Sequence, residues 1–177
     1  IWLHKAQEKF NNFENGIDIF KNSKINGLEI DVYYEESTKR LYLSHEKPQE
    51  NLENILSFKY LNKFKKINLW LDFKNLKEVP LNQIDFLRNK LNQLATHNNL
   101  FLESQNLLKL KLLSSKEFNI IFNLPIFFDN KFFLLIMKYF LKLMNLNFIS
   151  ISEQNLFLVD QVFDSKNLFI YTVNNSD

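Results

Sequence analysis

The chain contains no cysteine. Disulfides and thiolate metal sites are therefore excluded, and the compartment is left open. Glycine and proline are scarce, with 2 and 3 copies, so turns must be built from Asn, Ser and Asp. Excess charge is also lacking. The formal net charge is +2, too small to point to nucleic acid, and no nucleic-acid partner is expected. The lysines at 63–66 and 109–111 read as solvated helix faces, because recognition needs clustering on one face. There is no Pro/Gly/Ser-rich linker and no repeat of the solenoid kind. No apolar run reaches the ~20 residues of a membrane span. The most apolar stretch, residues 132–144, is broken by Lys138, Tyr139 and Lys142. It reads as a barrel helix, and the alternative is an interfacial helix making transient membrane contact.

With 177 residues, 46% hydrophobic and 24% charged, the chain fits one domain, 1–177, with a sizeable core. Phe, Asn, Lys, Ile and Leu dominate. These are residues of A/T-rich codons, and the skew reads as the signature of a bacterial genome rather than of a function. Either a cytoplasmic or a periplasmic or secreted location is compatible with it. The sequence starts at Ile1 without Met, as a trimmed or partial sequence would, so a removed leader or lipid anchor would leave no trace.

Short β-like runs alternate with helical stretches. Residues 8–24 carry Phe10, Phe13, Ile17 and Phe20 at helical spacing. Residues 27–36 and 40–46 are extended, 52–64 helical, and 67–75 a strand. The second half continues with helices over 81–96, 107–116, 131–145 and 156–163, and strands over 100–104, 119–124, 148–152 and 167–174. Such alternation predicts a parallel α/β sheet. Seven strands in barrel order open at Ile1, Gly27, Ile67, Leu100, Asn119, Phe148 and Asn167. The expectation is a TIM-type (β/α)8 barrel that lacks, or is truncated in, its last βα unit.

Chemistry concentrates in the first 75 residues. Of the three histidines, His4 and His45 end strand-like runs beside carboxylates, whereas His97 reads as a polar residue at a helix end. In Gly27-Leu28-Glu29-Ile30-Asp31-Val32 the two acids share one face and the aliphatic residues the other. The acidic face would point into the barrel near its C-terminal end, where such barrels carry their sites. Like charges this close need a positive partner, and a hard divalent cation suits them. In Leu69-Trp70-Leu71-Asp72-Phe73-Lys74, the residues Trp70, Asp72 and Lys74 share a face. Asp72 could complete the metal set and Lys74 contact phosphate.

The order of these motifs resembles the glycerophosphodiester phosphodiesterase superfamily. His4-Lys5-Ala6 stands where that family has His-Arg-Gly. Phe13-Glu14-Asn15-Gly16 through Phe20 follows, then Gly27-Leu28-Glu29-Ile30-Asp31-Val32 where the family has a Gly-x-x-Glu-x-Asp-Val strand, and then His45-Glu46 where it has His-Asp. Ile170-Tyr171-Thr172-Val173-Asn174 is similar to the family's Val-Trp-Thr-Val-Asn strand. The resemblance spans nearly the whole chain. It implies metal-dependent phosphodiester cleavage, with His4 and His45 as general acid and base and Glu29, Asp31 and Asp72 holding Ca²⁺ or Mg²⁺. Lys5, Lys74 and Tyr171 would contact a glycerophosphodiester or phospholipid-like substrate. Two histidines suit proton exchange near neutrality, and a cation offsets charge developing on phosphoryl oxygens.

Departures from the family pattern are informative. Lys5 replaces an arginine fork with a point charge. Asp72 stands where the family has Glu, and Asp72-x-Lys74 looks more like the sphingomyelinase D branch. Only residues 46–50 separate His45 from the next helix, so the family's small insertion domain is absent and the mouth should be open. The competing readings are a non-catalytic barrel that binds a phosphorylated ligand or protein partner, and an unrelated aldolase using Lys74 as a Schiff base.

Overall fold

The structure, a computed structural model, describes residues 2–3, 6, 26–47, 57–125, 130–146, 148–163 and 168–171. Its strands are β1 (Trp2–Leu3), β2 (Gly27–Glu35), β3 (Arg40–Tyr42), β4 (Asn68–Phe73), β5 (Asn99–Ser104), β6 (Asn119–Asn123), β7 (Phe148–Ser152) and β8 (Leu168–Tyr171). Seven of them form one parallel sheet in the order β1-β2-β4-β5-β6-β7-β8, while β3 pairs antiparallel with the end of β2. The described helices are α1 (Ile84–Ala95), α2 (Leu107–Leu113), α3 (Lys131–Leu143) and α4 (Leu156–Asp160). They follow β4, β5, β6 and β7, which is the alternation of a parallel barrel.

All seven parallel strands open within a residue of the sequence expectation. The other elements depart in places. The extended run expected over 40–46 ends at Tyr42, and the chain then turns, so His45 sits in a loop. Of the helix expected over 52–64, the described part is a 3-10 turn at Phe58–Lys63. Helices α2 and α4 stop at Leu113 and Asp160, short of the expected 116 and 163. The helix expected over 8–24 lies outside the described residues.

Side-chain alternation gives the sheet two different faces. Leu28, Ile30, Leu69, Leu71, Leu100 and Leu102 point to the helices and are essentially fully buried. Each contributes about 1.5–3 kcal/mol of apolar burial. Amphipathic α1 covers this layer with Ile84, Leu87, Leu91 and Leu94. On the opposite, inner face five aromatic rings meet. Trp2 of β1 lies 5.8 Å from Trp70 of β4, 5.9 Å from Phe101 of β5 and 6.3 Å from Phe169 of β8, centroid to centroid. Phe169 also packs on Phe148 of β7 at 5.9 Å. The first and last strands thus share one set of rings, so the sheet is curled around an aromatic plug, as in a half-barrel or barrel.

Gly27 makes this packing feasible. A Cβ there would lie 2.4 Å from Trp2 Cζ3 and 2.8 Å from the Asn68 carbonyl oxygen, too close to both. The scarcity of glycine shows elsewhere. Left-handed backbone is carried by Lys39, Lys66 and Asn145, at φ 54°, 60° and 57°, where glycine would be the unstrained choice. Helix starts rely on Asn. Asn106 Oδ1 accepts from Lys109 N at 3.0 Å, and Asn130 Oδ1 from Phe132 N at 2.8 Å. Asn thus caps helix starts as composition suggests, whereas two of the three left-handed positions fall to Lys.

Candidate active site

The site grows from the register of β2, β4 and β5. Asp31 pairs with Asp72, and Asp72 pairs with Glu103. Three adjacent strands therefore place a carboxyl group at the same level of the inner face, near the C-terminal ends of the strands. Glu29 lies one inner position lower on β2 and pairs with Trp70. Glu29, Asp31 and Glu103 are all buried. Burial of this much acid is costly unless each group is bonded or neutralised.

Lys74 supplies the neutralising charge. Just beyond β4, its Nζ lies 2.9 Å from Asp31 Oδ1 and donates to Asp72 Oδ2. The backbone fixes this lysine. Lys74 N donates to Val32 O at 3.0 Å. The next residue, Asn75, closes a clamp on β2: its Oδ1 accepts from Tyr34 N at 2.9 Å, and its Nδ2 donates to Tyr34 O at 2.8 Å. Burial disfavours the ammonium of Lys74, but the Asp72 and Asp31 carboxylates outweigh it and hold the pKa above the usual lysine value. A lysine so charged is unsuited to Schiff-base chemistry, which needs the free amine. Burial likewise raises Asp72 above the ordinary carboxylate range. Lys74 opposes that rise, while Asp31 and Glu29 add to it.

His45 reaches the same group from the loop after β3. Its Nδ1 lies 3.2 Å from Asp31 Oδ2, and the ring is half exposed. The loop is held by buried Leu43 and by Ser44 Oγ, which donates to Glu46 O at 2.8 Å. A carboxylate on Nδ1 orients the ring and leaves Nε2 as the nitrogen that exchanges a proton. Asp31 is thus the junction of the site, touched by Lys74 on one oxygen and His45 on the other.

Glu103 was not among the residues singled out from sequence. Its Oε2 accepts from Trp70 Nε1, and its Oε1 accepts from Asn123 Nδ2 and, at 2.7 Å, from Ser150 Oγ. It binds the aromatic plug below to β6 and β7 beside it. Burial, reinforced by the charge of Asp72, pushes its pKa up to about 8, although the Ser150 and Asn123 donors pull the other way. A signal for it did exist. Leu28-Glu29-Ile30-Asp31, Leu69-Trp70-Leu71-Asp72 and Leu100-Phe101-Leu102-Glu103 share one pattern, with an acid two residues after an inward position.

The remaining expected residues fall as follows. His4 and Lys5 lie outside the described residues. Tyr171 is the last residue of β8, paired with Ser152. His97 is exposed just past the end of α1, and its carbonyl accepts from Lys66 N at 2.7 Å. A cavity of about 390 Å³ lined by Tyr33, Glu36, Lys47, Asn75 and Glu78 lies beside the end of β2 and its hairpin. It does not include Asp31 or Asp72.

Of the three carboxylates expected as ligands, Asp31 and Asp72 stand level on adjacent strands, and Glu29 lies one inner position below Asp31. Among the described residues no group of three His, Asp or Glu side chains is placed to hold a metal ion. The donor chemistry nevertheless fits a hard cation. The donors are all carboxylate oxygens, and the ammonium of Lys74 already occupies a cationic position between two of them.

No known family profile matches the chain, and no curated protein matches it in sequence. Solved structures do match in fold. One, designated a glycerophosphodiester phosphodiesterase from Galdieria sulphuraria, superposes with a TM-score of 0.68 at 14% identity, over 97% of this chain and 83% of that one. A second, designated a glycerophosphoryl diester phosphodiesterase from Agrobacterium tumefaciens, gives 0.68 at 8% identity with the same coverage. A glycerophosphodiester phosphodiesterase from Parabacteroides distasonis gives 0.61 at 15% identity, over 97% and 79%. The curled parallel sheet of this chain is thus the barrel fold of those proteins, in agreement with the resemblance of its motifs.

Proposed function

We propose that this chain is a metal-dependent phosphodiesterase acting on a glycerophosphodiester or phospholipid-like substrate. The observation that carries the reading is the junction at Asp31, where one carboxylate engages both His45 and Lys74 at the C-terminal end of the strands. That end is where barrels of this kind perform chemistry. The fold neighbours favour the same class.

In this reading Glu29, Asp31 and Asp72 hold Ca²⁺ or Mg²⁺. When bound, such an ion offsets the charge that develops on a phosphoryl oxygen. Lys74, beside these carboxylates at the mouth, would offer its Nζ to the substrate phosphate as a point-charge contact. Asp31 keeps the His45 ring in place, and His45 exchanges a proton with either the attacking or the leaving oxygen. His4 supplies the complementary proton transfer, and Lys5 and Tyr171 complete the substrate contacts. The attacker is water or an adjacent substrate hydroxyl, and the Asp72-x-Lys74 pattern favours the hydroxyl, giving a cyclic phosphate.

The test is release of alcohol from glycerophosphodiesters and lysophospholipids, in EDTA and after addition of Mg²⁺ or Ca²⁺, followed by phosphorus NMR of the product. Metal-restored turnover that is lost in His45→Ala supports the reading. Turnover indifferent to EDTA, or full activity in His45→Ala, refutes it.

A further inference from the structure

Helix α3 buries little of itself. Leu134 and Leu141 are buried, and Met137 and Met144 pack partly against the core. Most of the rest of its apolar surface faces outward, with Phe132, Phe133, Ile136, Tyr139, Phe140 and Leu143 each between 45% and 68% exposed. At roughly 100 Å² per side chain, this patch equals or exceeds the ~300–600 Å² typical of the largest patch on a monomer.

The helix has a third stripe. At about 100° per residue, Lys131, Lys138 and Lys142 fall on one line between the core-facing residues and the outward apolar face. No acidic residue occurs anywhere in Lys131–Leu143. Lys131 and Lys138 lean towards the end of α4, where they donate to Gln161 Oε1 at 3.3 Å and Val162 O at 2.5 Å. An apolar helix face edged by three lysines, with Asp160 as the exposed acid at the end of the adjoining α4, matches an anionic lipid surface, with rings among acyl chains and ammonium groups at headgroup level.

Position links this surface to the site. In a parallel barrel each helix starts at the C-terminal end of the preceding strand, so the first turns of α2, α3 and α4 stand around the mouth. Each presents a large exposed apolar residue there: Leu108, then Phe132 and Phe133, then Phe157, which is 82% exposed. Leu81, in the 3-10 turn after β4, is likewise exposed. Successive βα units thus each place a large apolar residue at the mouth, and Phe132 and Phe133 belong to the α3 face as well.

We infer that the α3 face and this rim dock on an anionic phospholipid bilayer, which sets the mouth against lipid headgroups and makes a bilayer phosphodiester the substrate. The substrate clause rests on the phosphodiesterase reading, and the docking clause does not. The test uses the whole chain in flotation with phosphatidylcholine vesicles, with and without phosphatidylglycerol. Flotation is expected with the anionic vesicles and weaker with the neutral ones. Replacing Phe132 and Phe133 together with Ser should weaken vesicle affinity at least about ten-fold, and Lys142→Glu should weaken it less. The double variant should keep activity on a water-soluble glycerophosphodiester while losing it on vesicle phospholipid. Because that variant could fold poorly, Phe133→Trp provides a conservative readout, with emission shifting to the blue on anionic vesicles and quenched by brominated acyl chains. Flotation without any diester hydrolysis leaves docking standing and removes the enzymatic reading. Hydrolysis of the soluble diester with no flotation and no Phe133→Trp shift overturns docking and leaves the enzyme. Light scattering that shows a stable dimer dissociated by the double substitution also overturns it, because a second copy then covers the face.

Discussion

Removing the charge of Lys74 probes the centre of this site most directly. Lys74→Met keeps the length and apolar stem of the side chain and deletes the ammonium between Asp31 and Asp72. Asp31 is 1% exposed and Asp72 16%, so neither recovers its hydration when the cation goes. Breaking a buried pair by removing one partner costs about 3–5 kcal/mol, and the partial exposure of Lys74 places this case at the lower end. For a chain of 177 residues, unfolding entropy of about 2.1 cal/mol/K per residue converts ~3 kcal/mol into a Tm loss of roughly 8 °C. The sign of the pH dependence follows from the raised pKa of Asp72. Its folded form holds a proton more tightly than the unfolded chain, so its carboxyl costs stability as pH rises above the ordinary Asp value. Without Lys74 that cost grows, and the gap between variant and wild type should narrow as pH falls from 7 towards 5. A divalent ion should replace the missing charge. At about 100 times its Kd it returns about 2.7 kcal/mol, which is most of the loss, whereas wild type should gain less because Lys74 competes for the position. The assay is calorimetry or circular dichroism melting of both proteins in EDTA, Mg²⁺ and Ca²⁺. A Tm within about 2 °C of wild type in EDTA would show that Lys74 does not neutralise the buried acids. A variant insensitive to both ions would remove the carboxylates as a metal site.

Other predictions test neighbouring parts of the reasoning. His45→Ala should lower turnover by about 10²–10⁴-fold, the usual size of an acid–base contribution, and leave the melting curve nearly unchanged because the ring is half exposed. Glu103, whose pKa is pushed up to about 8, should make the fold lose stability as pH rises from the ordinary Glu value near 4.5 through 8; melting of wild type against Glu103→Gln across that range checks it, and parallel curves would refute it. Gly27→Ala should cost about 1–3 kcal/mol by overpacking, with altered near-ultraviolet circular dichroism as Trp2 is displaced. Asn75→Ala should loosen the end of β2, seen as faster amide exchange at Tyr34 and a lowered kcat, whereas Asn75→Asp should keep the bond from Tyr34 N and recover part of both.

Strand positions were legible in the sequence because aliphatic residues alternate with polar or aromatic ones in β2, β4, β5 and β7, and because β6 and β8 are short apolar runs rich in β-branched and aromatic residues. Helix ends were less so. Helix α2 ends where Ser114 takes φ −51° and ψ 141° and its Oγ donates to Lys111 O at 2.7 Å, a local competition for the backbone that apolar periodicity does not register. Asp31, Asp72, Lys74 and His45 were legible as one group because strand alternation and the motif order agree. Their arrangement was not. Sequence called for a positive partner between the acids, and the structure puts Lys74 in that place. Asn75 carried no local signal, since its bonds reach Tyr34, which is 41 residues away. The apolar character of α3 was plain. Which face looked outward was not, because the helix is apolar on nearly every side.

Glu103 shows how site and fold are specified by the same letters. Each of the three tetrads ending in Asp31, Asp72 and Glu103 alternates aliphatic residues with inward ones, and the pairing of β2 with β4 and β4 with β5 brings the final acids level. A slip of one residue in either pairing would turn a whole strand over. Leucines that now meet the helices would enter the barrel, and an acid would enter the apolar layer with no bonding partner, at a cost of several kcal/mol. The acids therefore disfavour wrong registers as strongly as the leucines favour the right one. The same constraint limits how the site can change. A second acid can be added to the inner face only where a donor already waits, as Trp70, Asn123 and Ser150 do for Glu103. A cation, by contrast, can be exchanged at the mouth without disturbing the register, because Lys74 lies beyond the last paired residue of β4 and its charge can be supplied from solution.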